Sequence, residues 1–177
     1  IIFISFNLPT KADSEQNLIK EIKKGGKLIF IRHAYAPGGG DPKNFDINEC
    51  KTQRNLSNIG KDQAKKIGDF FKKNNIEIDK VYSSEWCRCK ETALIAFDNF
   101  ETKNFLNSFF SSKFAKNKDL QMRELESFIK NWNSNKNLIF VTHYVVIYES
   151  LNYTSSSGEI VISNKDLKVI DTIKIEY

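Results

Sequence analysis

Two segments of the chain share one layout: Leu28-Ile-Phe-Ile-Arg-His33 and Leu138-Ile-Phe-Val-Thr-His143. In each, four consecutive apolar residues are followed by one polar residue and then a histidine. An apolar run without alternation is the pattern of a strand buried on both faces, as in parallel sheets covered by helices on either side. His33 and His143 are the only histidines in 177 residues, and both stand directly beyond such a run. In open parallel sheets, ligands bind outside the carboxyl ends of the strands, where the strand order reverses. The repeated layout therefore predicts a sheet that is parallel at its centre and two imidazoles delivered to its ligand-binding edge.

The rest of the chain supplies the helices such a sheet needs. Ser57 is placed to cap a helix running to about Asn74, with Ile59, Gln63, Ile67, Phe70 and Phe71 on one face. Val81-Tyr82 ends a further strand, and Ser83 or Ser84 is expected to cap the helix carrying Arg88 and Thr92. Residues 99–117, rich in Asn, Ser, Lys and Phe, read as an irregular connection with one short strand. Met122, Leu125, Ile129 and Trp132 mark another amphipathic helix, and a helix from Tyr144 to about Leu151 follows the third strand. Glu159–Ser163 and Lys168–Ile175 are expected to close the sheet as a hairpin around Asn164-Lys165. Strands alternating with helices predict an α/β fold of three layers, α/β/α, with a doubly wound, mainly parallel sheet.

The length suits one domain, taken as residues 13–177. The apolar start, Ile1 to Leu8, leads into Thr10-Lys11-Ala12, whose small first and third residues match the end of a secretory signal. Residues 1–12 are thus expected to be the remnant of a signal peptide and the protein to be periplasmic or secreted. The alternative is a native N-terminal strand in a cytoplasmic protein. No other stretch approaches the ~18 apolar residues that span a bilayer, so no membrane span is expected.

Charge narrows the partners. The balance of 27 basic to 22 acidic residues gives +5, but the lysines are scattered and not clustered with aromatics, which argues against nucleic acid. A mild positive excess favours a small anionic substrate. Only four of the basic residues are Arg: Arg32, Arg54, Arg88 and Arg123. In a chain so dominated by Lys, an Arg marks a place where a planar, permanently charged fork is needed. Arg32 adjoins His33, Arg88 falls in the first turn of a helix that starts at a strand's carboxyl end, and Arg54 precedes the Ser57 cap. Helix N-termini add backbone donors and positive dipole ends, so these three positions suit phosphate. Arg123 reads as a surface residue.

The cysteines exclude two chemistries. Cys50, Cys87 and Cys89 include no C-x-x-C pair and have no nearby His, so no metal is expected. A cysteine phosphatase needs Cys-x5-Arg, whereas Cys50 lies three residues before Arg54 and Cys87 directly precedes Arg88. In an exported protein, Cys50 is expected to pair with Cys87 or Cys89, leaving one thiol free. In a cytosolic one, all three would be small buried hydrophobes.

These blocks resemble the histidine phosphatase superfamily, with its phosphoglycerate mutase-like fold. Arg32-His33-Ala34 is similar to its Arg-His-Gly/Ala signature, and Arg54-Asn-Leu-Ser-Asn-Ile-Gly60 with Gln63-Ala64 resembles the segment opening its first helix. Ser83-Ser-Glu-Trp-Cys-Arg-Cys-Lys-Glu-Thr-Ala93 resembles its Ser-Ser-x-x-x-Arg-Cys-x-x-Thr-Ala element, and Val141-Thr-His143 its second-histidine strand end. The four blocks run in the family's order from about Lys27 to His143. The small exported bacterial members, with a Gly/Pro loop after the first His and a Ser-Gly-Glu like Ser157-Gly158-Glu159, are the nearest in pattern.

The resemblance implies a phosphomonoester hydrolase that needs no metal or cofactor. His33 would be the nucleophile that becomes phosphorylated, with Arg32, Arg88 and His143, supported by Arg54, around the phosphoryl oxygens. The alternatives are a protein phosphohistidine phosphatase and a non-catalytic phosphate-binding module. Thr142 departs from the Gly that commonly precedes the second His. The acid that protonates the leaving group stays open between Asp41 on the Gly/Pro loop, Glu124, Glu126 and water.

Overall fold

The computed structural model describes residues 11–177, so most of the expected signal-peptide remnant lies outside the described residues. In chain order the elements are α1 (Lys11–Lys23), β1 (Leu28–Arg32), α2 (Asn58–Lys73), β2 (Ile78–Ser83), α3 (Cys87–Phe97), β3 (Glu101–Thr102), α4 (Ser112–Ala115), α5 (Lys118–Asn131), β4 (Asn137–Thr142), α6 (Tyr144–Leu151), β5 (Ile160–Ser163) and β6 (Val169–Ile173). The six strands form one sheet in the order β3-β2-β4-β1-β5-β6. The four strands from β3 to β1 run parallel, and β5 and β6 close the sheet antiparallel.

The two repeated segments are neighbours in this sheet. β1 and β4 pair parallel from Leu28 against Leu138 to Arg32 against Thr142, so the shared layout of the sequence is a shared register in space. Because strand side chains alternate between faces, both faces of these strands are apolar. Ile29, Ile31, Ile139 and Val141 pack with Leu18 and Ile22 of α1, Ile67 and Phe71 of α2, and Ala93 and Ala96 of α3. Leu28, Phe30, Leu138 and Phe140 pack on the other side with Leu125 and Ile129 of α5 and Val146, Ile147 and Leu151 of α6. This is the expected three-layer α/β/α arrangement.

Several local expectations are met. Ser57 is the N-cap of α2 and accepts the Gly60 N–H, α6 covers Tyr144–Leu151, and residues 99–117 hold only β3, a 3-10 turn and the four-residue α4. Three differ. Ile59 is exposed, because the buried face of α2 begins at Gly60, where a Cβ would collide with the Tyr35 carbonyl oxygen. α3 starts with Trp86 as N-cap and no side-chain cap; Ser84 is turned elsewhere, as described below. α1 was unforeseen, since its buried side of Leu18 and Ile22 is too thin a stripe to read against polar neighbours.

Asn137, fully buried at the start of β4, ties three elements together away from the histidine edge. Its amide donates to the carbonyls of Ile22 and Glu77 at 3.0 and 2.9 Å and accepts from Lys27 N at 3.2 Å. Leucine has nearly the same shape and none of these bonds; it would break all three ties and leave Lys27 N without its acceptor. Asn137→Leu is expected to destabilise the fold by about 2–4 kcal/mol, read from urea unfolding monitored by circular dichroism.

Candidate active site

Beyond the carboxyl ends of β1 and β4, the chain turns with His33 and His143 side by side, ring centroids 5.5 Å apart and nearly perpendicular. The backbone continues the strand pairing for one more step, His33 N donating to Thr142 O at 2.9 Å. On the other side of β1, the Gly158 N–H lies between the carbonyls of Arg32 and His33. Gly158 has φ +69° and a Cβ there would collide with Gln63, so only glycine lets this turn close on the site.

His33 is almost completely buried. Its Nδ1 lies 2.8 Å from the Ala34 carbonyl oxygen. A carbonyl only accepts, so Nδ1 carries the proton and Nε2 keeps its lone pair. Burial, followed by the positive charge of Arg88, holds this imidazole well below its ordinary pKa. Ala34 is held in turn by Thr92 of α3, whose hydroxyl accepts Ala34 N–H and donates to Arg88 O. His143 is equally buried and also depressed well below its ordinary pKa, by burial first and then by Arg88 and His33. Both rings are therefore neutral at pH 7.

Three of the four arginines are brought to this edge. Arg88 Nη2 lies 3.5 Å from His143 Nδ1. Arg32 Nη1 donates to Ser155 O at 2.7 Å, and its guanidinium lies 5.3 Å from the Tyr144 ring centroid. Arg54 points at the Gly-rich loop: Nε donates to Gly40 O at 3.1 Å, and Nη1 donates to Ala36 O. Among the described residues, the buried side-chain polar atoms lacking any partner are Arg32 Nε, Arg88 Nε and Ser155 Oγ. Arg32 and Ser155 are joined through the Arg32 Nη1 bond to Ser155 O, and Arg88 faces His143. Arg123 is exposed on α5, as expected.

Asp41, one of the candidates left open for the proton donor, is found as the carboxylate partner of Arg88. Its oxygens accept from Arg88 Nη1 and Nη2 at 2.7 and 3.2 Å, from Trp86 Nε1 at 3.0 Å and from Arg54 N at 3.0 Å. Burial alone would raise its pKa, but the Arg88 charge and these donors outweigh it and hold the group below the usual carboxylate value. In this arrangement Asp41 is ionised and has no proton to give. Glu124 and Glu126 lie on α5, and Glu124 lines a groove with Asn104, Phe105 and Asn131 that is separate from the histidines.

The loop carrying Asp41 is fastened to α3 by a disulfide between Cys50 and Cys87, one of the two pairings left open by the sequence. Gln53 reinforces it, accepting Cys87 N–H at 2.9 Å. Cys89 is free and buried, its thiol pushed up to about 12 by burial. Trp86 is stacked on Phe45 and edge-on to His143. Sequence reasoning missed Ser84, Asn107 and Ser155 as site residues. Serine and asparagine are abundant in this chain, and only their three-dimensional partners distinguish these three.

The Histidine phosphatase superfamily (branch 1) family model matches residues 28–115, which carry His33, Arg54 and Arg88. A comparison with curated proteins finds no match. Among solved structures, the chain is similar to the protein histidine phosphatase SixA complexed with tungstate: 14% identity, TM-score 0.59, 83% of this chain and 96% of that one covered. It is also similar to a phosphoglycerate mutase from Thermus thermophilus, with 12% identity, TM-score 0.59, and 85% and 99% coverage. The chain belongs to the histidine phosphatase superfamily and has its phosphoglycerate mutase-like fold.

Two neutral buried imidazoles leave a thermodynamic signature. Each ring recovers its ordinary pKa near 6.5 on unfolding, so below that pH the unfolded chain binds protons that the folded chain refuses. Stability is therefore full above about pH 7 and falls as the pH drops through 6.5, by up to about 1.4 kcal/mol per pH unit for each ring. Urea titrations at pH 7.5 and 5 are expected to show this loss, and His33→Gln/His143→Gln to remove most of it.

Proposed function

We propose that the chain is a phosphomonoester hydrolase that acts through a phosphohistidine on His33. The observation that carries this reading is a neutral imidazole, anchored through Nδ1–H to a backbone carbonyl, beside guanidinium groups that have buried N–H donors without partners. A lone pair on Nε2 is what an attack on phosphorus requires, and a protonated ring would lack it. The fixed guanidinium charges of Arg32 and Arg88, with Arg54 behind them, suit the equatorial oxygens on which charge gathers during phosphoryl transfer. Their field also keeps His33 deprotonated, so one cluster binds the anion and readies the nucleophile.

In the first step, Nε2 of His33 forms the N–P bond, the bond from phosphorus to the leaving oxygen breaks, and its electron pair leaves with that oxygen. Water then attacks phosphorus, the N–P bond breaks, and phosphate is released with the imidazole restored. Arg32 and Arg88 supply the oxygen contacts. Arg54 contributes mainly by clamping the Gly-rich loop, since two of its nitrogens are held by loop carbonyls. For phosphate to take the Nη atoms of Arg88, it must share or displace Asp41.

A second reading, a protein phosphohistidine phosphatase, is favoured by the engagement of Asp41 with Arg88, because a phosphorylated imidazole departs without help from a carboxylic acid. The similar SixA structure bears that activity in its name. Export to the periplasm or beyond remains part of the proposal, supported by the Cys50–Cys87 disulfide, since such bonds persist in oxidising compartments.

With p-nitrophenyl phosphate, whose leaving group needs little protonation, the wild type is expected to turn over and to yield an acid-labile phosphoenzyme on rapid quench. His33→Ala is expected to abolish both, and Arg88→Ala to lower kcat/KM about 10²–10³-fold. Full turnover by His33→Ala would overturn the assignment, and phosphate binding without turnover in the wild type would favour a binding module. A parallel assay on a phosphohistidine peptide separates the two enzymatic readings.

A further inference from the structure

His143 is bonded through a relay of side chains whose proton directions can be read one after another. Asn107 lies just past the 3-10 turn that follows β3. Its Oδ1 lies 2.8 Å from Glu85 N, and its Nδ2 lies 2.5 Å from Glu85 Oε2. A backbone N–H only donates and a carboxylate only accepts, so Glu85 fixes the orientation of the Asn107 amide at both ends. Oδ1 is also 3.0 Å from Ser84 Oγ. An amide oxygen cannot donate, so the single hydroxyl proton of Ser84 points at Asn107.

That leaves the two lone pairs of Ser84 Oγ, one accepting from Trp86 N at 3.3 Å and the other facing His143 Nε2 at 2.9 Å. The imidazole must therefore be the donor, with its proton on Nε2. A neutral ring then carries a lone pair on Nδ1, the nitrogen facing Arg88 Nη2 at 3.5 Å. His33 is fixed the other way, as Nδ1–H, by the Ala34 carbonyl. The two histidines are held as opposite tautomers, and each presents an unprotonated nitrogen to the arginine cluster.

We propose that the Glu85–Asn107–Ser84 relay holds His143 as its Nε2–H tautomer, so that Nδ1 accepts the proton of a singly protonated phosphoryl group and returns it to the leaving oxygen. This rests on the reading that His33 is the nucleophile. The balance closes: the P–OH proton moves to Nδ1, giving an imidazolium. His33 Nε2 bonds to phosphorus as the P–O bond to the leaving group breaks, and Nδ1–H protonates the departing oxygen. Phosphohistidine, a neutral alcohol and a neutral His143 result. The substrate thus brings the proton that the ionised Asp41 cannot supply. Asn107 is a positioning residue, acting through Ser84.

The groups that face His143 agree with this role. β1 contributes Arg32 and the neutral His33, the loop after it contributes Arg54 and the Asp41 carboxylate on Arg88, and α3 contributes Arg88 and the protonated thiol of Cys89. Glu85 faces it only through Asn107. The arginine charges keep the resting ring neutral, and a bound phosphoryl anion would offset them as the ring takes the proton.

Because the chain has two histidines, the ring ¹⁵N NMR spectrum holds two imidazoles, assigned with His33→Ala. The wild type is expected to show His143 protonated on Nε2 and bare on Nδ1, with His33 the reverse. A proton on Nδ1 of His143 would overturn the proposal, and that measurement needs no variant at the relay. In Asn107→Leu, the Ser84 proton is free to turn to Nε2, and the His143 proton is expected to move to Nδ1. Ser84→Ala is expected to give a mixture of tautomers, and two unchanged spectra would sink the relay.

With phenyl phosphate, wild-type kcat/KM is expected to fall about tenfold per pH unit above the second ionisation of the phosphoryl group, about pH 6. Asn107→Leu is expected to raise the ratio of kcat/KM at pH 8 to that at pH 5.5 at least about tenfold. A wild-type profile flat from pH 5 to 8 would overturn the proton transfer. The tautomers are read in the resting protein, so turnover surviving in His33→Ala would refute the nucleophile without touching the relay.

Discussion

The site depends on the parallel, in-register pairing of β1 with β4. Leu28 lies against Leu138 and Arg32 against Thr142, so the next residue on each strand, His33 and His143, emerges at the same height on the sheet edge. A one-residue slip would turn one strand's side chains to the opposite face and separate the two rings. The register is held by apolar burial on both faces, with Ile29 and Ile31 toward one helical layer and Leu28 and Phe30 toward the other. The hydrophobic core is thus the device that sets the spacing of the imidazoles.

Around that pair the electrostatics are arranged by burial. Two rings that would be half protonated near pH 6.5 in water are kept neutral because they are shielded from solvent and face Arg88, Arg54 and Arg32. Uncompensated, three guanidinium groups in so small a volume would be costly. Asp41 takes both Nη atoms of Arg88, and the Gly-rich loop gives its carbonyls to Arg54. The buried Glu159, held by Tyr153 and Ser156 N, stands behind the loop that anchors Arg32. Among the described residues, the buried side-chain atoms still unpaired are on Arg32, Arg88 and Ser155.

The tethering of the loop after β1 links fold to chemistry. Cys50 is bonded to Cys87, the residue before Arg88, and Gln53 and Asp41 bind the same short region of α3. Arg54 and Arg88 are thereby held at one junction, and the rotamer entropy of fixing their side chains is lost on folding.

Much of this was legible from the chain alone. Unbroken apolar runs as short as Leu28–Ile31 and Leu138–Val141 read as strands buried on both faces, which points to the parallel α/β class, and the two histidines beyond them mark its edge. The scarcity of Arg singled out Arg32, Arg54 and Arg88, because Lys cannot replace a planar fork. What the chain could not disclose is pairing across space: that Cys50 meets Cys87, that Asp41 is the counter-ion of Arg88, that α1 covers one face of the sheet, and that Asn107 reaches Glu85 and Ser84. Periodicity and composition record which face a residue takes, since that is a local property of backbone geometry. The partner of a carboxylate, a thiol or an amide is decided by which distant segment the packed core brings within about 3 Å, and only the tertiary structure contains that.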